Sequence, residues 1–324
     1  FRTAIKESNA LRGEQSWSSF IRTAKAPELP VPRMSLSPMF RSVVALIHAG
    51  TSVIFLGFEA PTHQEDMVND QNSRVAVITG AGGGLGVHIA HRFAADGYTT
   101  VLVGRTESTL RQAVESGPDR GDMHPWAGDV ADLAAVTALM DGVAERFGRL
   151  DVLVNNAGLA RPGTVESTTE DAYRAMMSVN VDGVFFASRA ALPHLRAVRG
   201  CIVNIGSVGG MRGDWTQAAY NATKGAVANL TNAMALDHGW EIRVNAVHPG
   251  VTTSHEEIRT ALAEGTPLRD RFDDRVPMGR PGDPAEVAAV VAFLAGSGAS
   301  YVNGAHIAVD GGLTASNGQT DLFR

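Results

Sequence analysis

The chain has 324 residues, 44% of them hydrophobic and 19% charged, which suits a globular protein with one large or two ordinary cores and excludes disordered and collagen-like chains. Its net charge of -6 offers no broad basic footprint, so nucleic acid is not an expected partner. The single cysteine, Cys201, excludes an intrachain disulfide and a Cys-rich zinc site, and points to a reducing compartment, read here as the cytoplasm.

Residues 1–71 read as an N-terminal extension, with scattered Ser, Pro and Arg and no period. Its apolar run from Ser42 to Phe58, 17 residues interrupted by His48, Gly50, Thr51 and Ser52, falls short of a membrane span. A signal-like segment, or sequence upstream of a start at Met67, stays open. Beyond it the pattern alternates. Arg74 to Thr79 reads as a strand and a helix starts near Leu85, with apolar Leu85, Ile89 and Phe93 on one face. Then come a strand at Thr99 to Val103, a helix at Glu107 to Val114, a strand at His124 to Ala127, a helix at Leu133 to Phe147 and a strand at Leu150 to Val154. A helix from Tyr173 to His194, stopped at Pro193, leads to a strand at Cys201 to Ile205 and a long helix at Gln217 to His238. A strand at Ile242 to Val247, a helix at Pro284 to Leu294 and a strand at His306 to Val309 complete the series. Strands that are unbroken apolar runs belong to a parallel sheet covered on both faces. The expected fold is α/β, a single doubly wound parallel-sheet domain over residues 72–324.

The first strand ends in Thr79-Gly80-Ala81-Gly82-Gly83-Gly84-Leu85-Gly86, a turn in a G-x-x-x-G-x-G register through Gly80, Gly84 and Gly86. Such a turn brings backbone N–H groups at a helix N-terminus close to a pyrophosphate; glycine turns also serve plain chain reversal. The second strand ends Val103-Gly104-Arg105-Thr106, without the carboxylate that usually meets the ribose of NAD. Arg105 offers a planar cation for a 2′-phosphate, which favours NADP(H), while nearby Glu107 keeps NAD(H) open. Tyr220 and Lys224, one turn apart, share a helix face, where an ammonium can stabilise a phenolate. Ser207 stands at the carboxyl end of a strand, where open α/β sheets bind ligands, and its hydroxyl can hold a reacting oxygen beside that phenol. Asn155-Asn156-Ala157-Gly158 follows another strand at the same sheet edge, and Asn180 can turn toward a buried water. The histidines His88, His91 and His248 show no metal-ligand spacing, so no metal is expected.

These pieces, with Asp129-Val130, Arg243 to Gly250 (RVNAVHPG) and Val309 to Gly312 (VDGG), resemble the short-chain dehydrogenase/reductase family in order and spacing, in particular its 3-oxoacyl carrier-protein reductase-like members. The resemblance covers about Arg74 to Ala315. It implies a Rossmann domain, hydride transfer between nicotinamide and a carbonyl carbon, and a homodimer or homotetramer built through the two long helices. Tyr220 would be the acid/base. Lys224 would bind the nicotinamide ribose and depress the Tyr220 pKa, Ser207 would orient the reacting oxygen, and Asn180 would hold a relay water. Gly80, Gly84, Leu85 and Gly86 would cradle the pyrophosphate, with Arg105 and Thr106 at the adenosine ribose, Asp129 and Val130 near adenine, and Asn156 and Gly158 along the other ribose. Thr252 and Ser254 would meet the carboxamide; Ser254 stands where the family often has Thr. Met211 and Trp215 read as an apolar wall of the substrate pocket or as interface packing. The substrate, a 3-oxoacyl thioester, a cyclic ketone or a small secondary alcohol, stays open, as does a non-catalytic dinucleotide-binding regulator.

Overall fold

The structure, a computed structural model, describes residues 73–119 and 121–317. The expectations for residues 1–71, the apolar run 42–58 included, lie outside the described residues. In chain order the strands are β1 (Val75–Thr79), β2 (Thr99–Gly104), β3 (Met123–Ala127), β4 (Val152–Asn155), β5 (Cys201–Ile205), β6 (Arg243–Pro249) and β7 (His306–Val309). The helices are α1 (Gly84–Ala95), α2 (Glu107–Glu115), α3 (Leu133–Phe147), α4 (Glu170–Met177), α5 (Gly183–Val198), α6 (Val208–Met211), α7 (Ala218–His238), α8 (Glu256–Ala261), α9 (Pro267–Asp273) and α10 (Pro284–Ala295). The strands form one parallel sheet in the order β3-β2-β1-β4-β5-β6-β7.

Alternation along each strand feeds two cores. Ala76 and Ile78 of β1 and Leu102 of β2 join Ile89 and Phe93 of α1 and Val287 and Val291 of α10. Val75, Val77 and Val101, pointing the other way, join Leu139 and Met140 of α3, Ala187 and Leu195 of α5, and Met234 of α7. Both faces are covered, so these strands are mostly apolar, and the polar residues they do bury, Asn155, Asn204, Asn245 and His248 among them, are hydrogen-bonded. After β3 the chain crosses from one side of β1 to the other and enters β4, which opens a crevice beyond the carboxyl ends of β1 and β4.

Two expectations need correction. The helix expected from Tyr173 to His194 begins earlier, at Glu170, and is broken by a π turn, Ser178–Asp182, between α4 and α5. Nor does Pro193 end α5, which runs on to Val198. Pro193 and Arg189, whose carbonyl it cannot serve, both lie on the exposed face, while buried Ala191 and Leu195 hold the helix on the sheet.

The strand ends nearest the crevice are tied by a buried polar chain. Asn155 Nδ2 donates to Ser188 Oγ at 3.0 Å and to Asn204 Oδ1 at 2.9 Å, and Asn204 Nδ2 donates to Thr231 Oγ1 at 2.9 Å. All four residues are at most 2% exposed. Asn155→Ala leaves the Asn204 carbonyl and the Ser188 hydroxyl without their shared donor, so urea denaturation is expected to show a loss of about 1–3 kcal/mol.

Candidate active site

The glycine turn is shaped by what stands over it. Gly80 has φ +67°, and a Cβ there would lie 2.7 Å from Ala157 Cα. Gly84 has φ +53°, and a Cβ there would lie 2.6 Å from His255 Nε2. Both positions therefore need glycine, for backbone conformation and for space. The β4 segment is laced to the turn: Asn156 N and Ala157 N each donate to Thr79 Oγ1 at 3.0 Å, and Asn156 Nδ2 donates to the Thr79 carbonyl at 2.9 Å. These bonds leave an open cradle, with the N-terminus of α1 at its floor and buried Gly86 behind it.

The cradle continues into a cavity of about 530 Å³. Gly80, Gly84, Leu85, Arg105, Thr106, Asn156, Gly158, Ser207, Tyr220, Lys224, Thr252 and Ser254 all line it, so the structure brings these twelve expected residues to one surface. Asp129 and Val130 line an adjoining hollow with Arg105 and Val179. At the end of β2, Arg105 is exposed, whereas Glu107 is ion-paired to Arg111 and lines neither space.

At the far end of the cavity stands Lys224, which is 4% exposed. Its Nζ donates to the Ile205 carbonyl at 2.8 Å, which leaves two of three ammonium protons for the cavity side. A Cβ on Gly158 would lie 3.6 Å from that Nζ and 3.7 Å from Asn180 Oδ1, so the two groups converge where Gly158 leaves room. Asn180 is fully buried in the π turn; its Oδ1 accepts from Leu159 N at 2.7 Å, and its Nδ2 donates to the Leu159 carbonyl and to Thr223 Oγ1, both at 2.9 Å. Both amide hydrogens of that side chain are spent on fixing α7 and the segment after β4.

Burial pulls the Lys224 amine down to about 8. Lys224 Nζ lies 5.8 Å from the centre of the Tyr220 ring. Burial pushes the Tyr220 phenol up; the Ser207 hydroxyl beside it pulls down and the Asp214 carboxylate adds to the rise. The expected depression of this phenol by Lys224 is thus not what the protein shows by itself, because desolvation outweighs the neighbouring hydroxyl. At neutral pH the site pairs an ammonium with an un-ionised phenol, a proton donor held ready.

Of the two roles expected for Met211 and Trp215, the pocket wall needs correction: Trp215 is 96% exposed, and neither it nor Met211 lines the cavity. His255, which sequence reasoning missed, does line it, lying over Gly84 from the segment after β6. Only its place five residues beyond Gly250, in the stretch that follows a strand's carboxyl end, could have signalled it.

A profile of the family described as "Enoyl-(Acyl carrier protein) reductase" matches residues 80–314. The chain is also 47% identical over 254 residues to the meso-2,3-butanediol dehydrogenase of Serratia marcescens, covering 78% of this chain and 98% of that one. The chain belongs to the short-chain dehydrogenase/reductase family. Among solved structures of this family it resembles a gluconate 5-dehydrogenase from Burkholderia cenocepacia J2315 in complex with NADP and tartrate, at 36% identity and a TM-score of 0.69, over 75% of this chain and 96% of that one. It also resembles a 3-ketoacyl-(acyl-carrier-protein) reductase from Brucella melitensis complexed with NADH, at 33% identity and a TM-score of 0.68, over 76% of this chain and the whole of that one. As a short-chain dehydrogenase/reductase the protein is an oxidoreductase acting on CH–OH groups, in a family that works with NAD(P). No helix among the described residues is long and apolar enough to cross a membrane.

Gly80→Ala combines a disfavoured positive φ with a clash against the Ala157 backbone. Fluorescence titration with NADPH is expected to show binding at least tenfold weaker than that of the unaltered chain, an estimate of about 1–2 kcal/mol for the strained conformation alone.

Proposed function

We propose that the protein is an NADP(H)-dependent oxidoreductase that interconverts a small ketone and its secondary alcohol. The observation that carries this reading is that Ser207, Tyr220 and Lys224 open onto the same cavity as the glycine cradle. The bound dinucleotide would supply the hydride in reduction and take it up in oxidation. Gly80, Gly84, Leu85 and Gly86 would hold its pyrophosphate, Asp129 and Val130 its adenine, Asn156, Gly158 and the two remaining Lys224 protons its nicotinamide ribose, and Thr252 and Ser254 its carboxamide. In the reducing direction Tyr220 gives its phenolic proton to the carbonyl oxygen while the Ser207 hydroxyl steadies the developing alkoxide. The ammonium of Lys224 and a water held at Asn180 then return a proton to the phenol. Because the Asn180 amide hydrogens are already spent, that water would donate to an oxygen of Asn180 rather than accept from its side chain.

Tyr220→Phe removes the proton donor and little volume. kcat with NADPH and a ketone panel is expected to fall about 10²- to 10⁴-fold while NADPH affinity stays within about twofold. An unchanged kcat would contradict the assignment, and NADPH binding with no carbonyl reduced by either form would favour the non-catalytic regulator.

NADP(H) is favoured over NAD(H) because the β2 end presents an exposed guanidinium and its nearest carboxylate, Glu107, is turned to Arg111. Arg105→Asp is expected to lower the NADPH-to-NADH ratio of kcat/KM by about ten- to a hundredfold, the span of a lost charge-assisted hydrogen bond plus the new repulsion. An unchanged ratio would return the choice to NAD(H). The likeness to a butanediol dehydrogenase favours a small secondary alcohol or hydroxyketone over a long acyl thioester. The same reading takes the protein as a cytoplasmic homodimer or homotetramer associating through α5 and α7, where Phe185 is 49% exposed.

A further inference from the structure

The turn that carries Ser207 is held by a residue outside the mechanism just described. His248 of β6 is fully buried, and a methyl group added at Gly206 would overlap its imidazole. Its Nδ1 lies 3.0 Å from the Ser207 carbonyl oxygen and 3.3 Å from the Ser207 amide nitrogen. Its Nε2 lies 2.9 Å from His306 Nδ1 on the adjacent strand β7, and His306 Nε2 lies 2.8 Å from the Asn232 side-chain oxygen on α7. The Lys224 bond to Ile205 and the His248 contact with Ser207 thus hold the same three-residue turn from two sides.

A neutral imidazole carries one proton on two nitrogens, so this chain has two self-consistent arrangements. In the first, His306 donates to Asn232, His248 Nε2 donates to His306, and His248 Nδ1 accepts from the Ser207 amide. In the second, every bond is reversed: a turned Asn232 amide donates to His306, His306 Nδ1 donates to His248, and His248 Nδ1 donates to the Ser207 carbonyl. One added proton removes the first arrangement wherever it lands. On His248 it occupies Nδ1 directly. On His306 it makes both nitrogens donors, which forces His248 Nε2 to accept and Nδ1 to carry the hydrogen.

The charged or titratable groups that face His248 are Lys224 on α7 and His306 on β7, with the Ser207 backbone above it. Burial is the main cause holding His248 below its usual range, and burial holds His306 there too. Both rings are therefore neutral at pH 7. We infer that His248, wired through His306 to Asn232, is a positioning residue for Ser207, and that protonation of this pair, by turning its contact with the Ser207 peptide from acceptor to donor, sets the acid limb of catalysis. The inference rests on the reading of Ser207 as the group that holds the reacting oxygen.

The test uses the full chain and the variants His306→Phe and His306→Gln, followed by kcat with NADPH between about pH 5 and pH 8 and by the Ser207 backbone amide signal over the same range. The unaltered protein should lose activity below pH 6.5, and the amide should move with the same midpoint. His306→Phe should shift both midpoints together by about half a pH unit or more and lower kcat roughly three- to tenfold, with NADPH affinity within about twofold; His306→Gln, which can still hydrogen-bond, should recover most of kcat. Unchanged midpoints in His306→Phe would overturn the inference, as would a parallel loss of kcat, NADPH affinity and thermal stability in both variants. An active wild-type protein whose Ser207 amide does not titrate would overturn it as well and leave the functional reading intact. A titrating amide in a protein that reduces no carbonyl would support the hydrogen-bond chain and sink the functional reading instead.

Discussion

A lysine ammonium almost wholly removed from water is the constraint on which the rest of this molecule turns. A buried charge is tolerated only where its protons find acceptors, and Lys224 finds one on the protein, the carbonyl that ends β5. That single bond dictates much around it. The strand β5 must end where α7 passes, and Gly210 must lack a side chain because a Cβ there would lie 2.6 Å from the Lys224 backbone. Tyr220, one turn earlier on α7, must then share the cavity wall with Ser207. Two ammonium protons are left over on the cavity side, where a ligand oxygen could accept them. Desolvation lowers the amine to about 8, which still leaves it charged at pH 7, and raises the neighbouring phenol.

The same economy governs the polar residues around this centre. Asn155, Asn156 and Asn204 sit at or beside strand ends, where main-chain groups run out of sheet partners, Asn180 sits in the π turn, and each amide bridges two elements. Because such groups are expensive to leave unpaired, they hold the carboxyl edge of the sheet more rigidly than apolar packing would. Under the proposed function, a site that presents a phenol, a hydroxyl and an ammonium to one small ligand would need that rigidity. Asn180 shows the cost of it: the helix gives up regular α geometry for one turn to place a fully buried amide between Leu159 and Thr223.

Much of this was readable in the residues. The β-branched runs and the apolar helix faces located the seven strands and most of the helices that cover them to within a residue or two, the broken helix from Glu170 to Val198 excepted, because burial on both faces leaves little freedom of composition. Most residues that line the cavity were readable as candidates because they lie just beyond a strand or one turn along a helix, positions that local spacing fixes. What escaped depends on contacts distant in sequence. The π turn at Ser178 to Asp182 preserves helical periodicity on either side, and Pro193 is harmless only because its face looks outward. Nothing in the text near Trp215 says that its ring stands in solvent, nor near His255 that its ring meets Gly84 across the cavity. The titration of Tyr220 has a related basis: spacing reports that an ammonium is near, but only the packed structure reports how much water the phenol has lost.

The central proposal is that Tyr220 is a half-buried phenol whose ionisation would come under the control of the Lys224 ammonium once the oxidised dinucleotide is in place. It is tested most directly by ultraviolet difference titration of the full chain against its Tyr220→Phe counterpart, with and without NADP. The account predicts a phenol that ionises above its ordinary value of about 10 in the protein alone and clearly below it when oxidised NADP is bound. A midpoint that is the same in both states would contradict it.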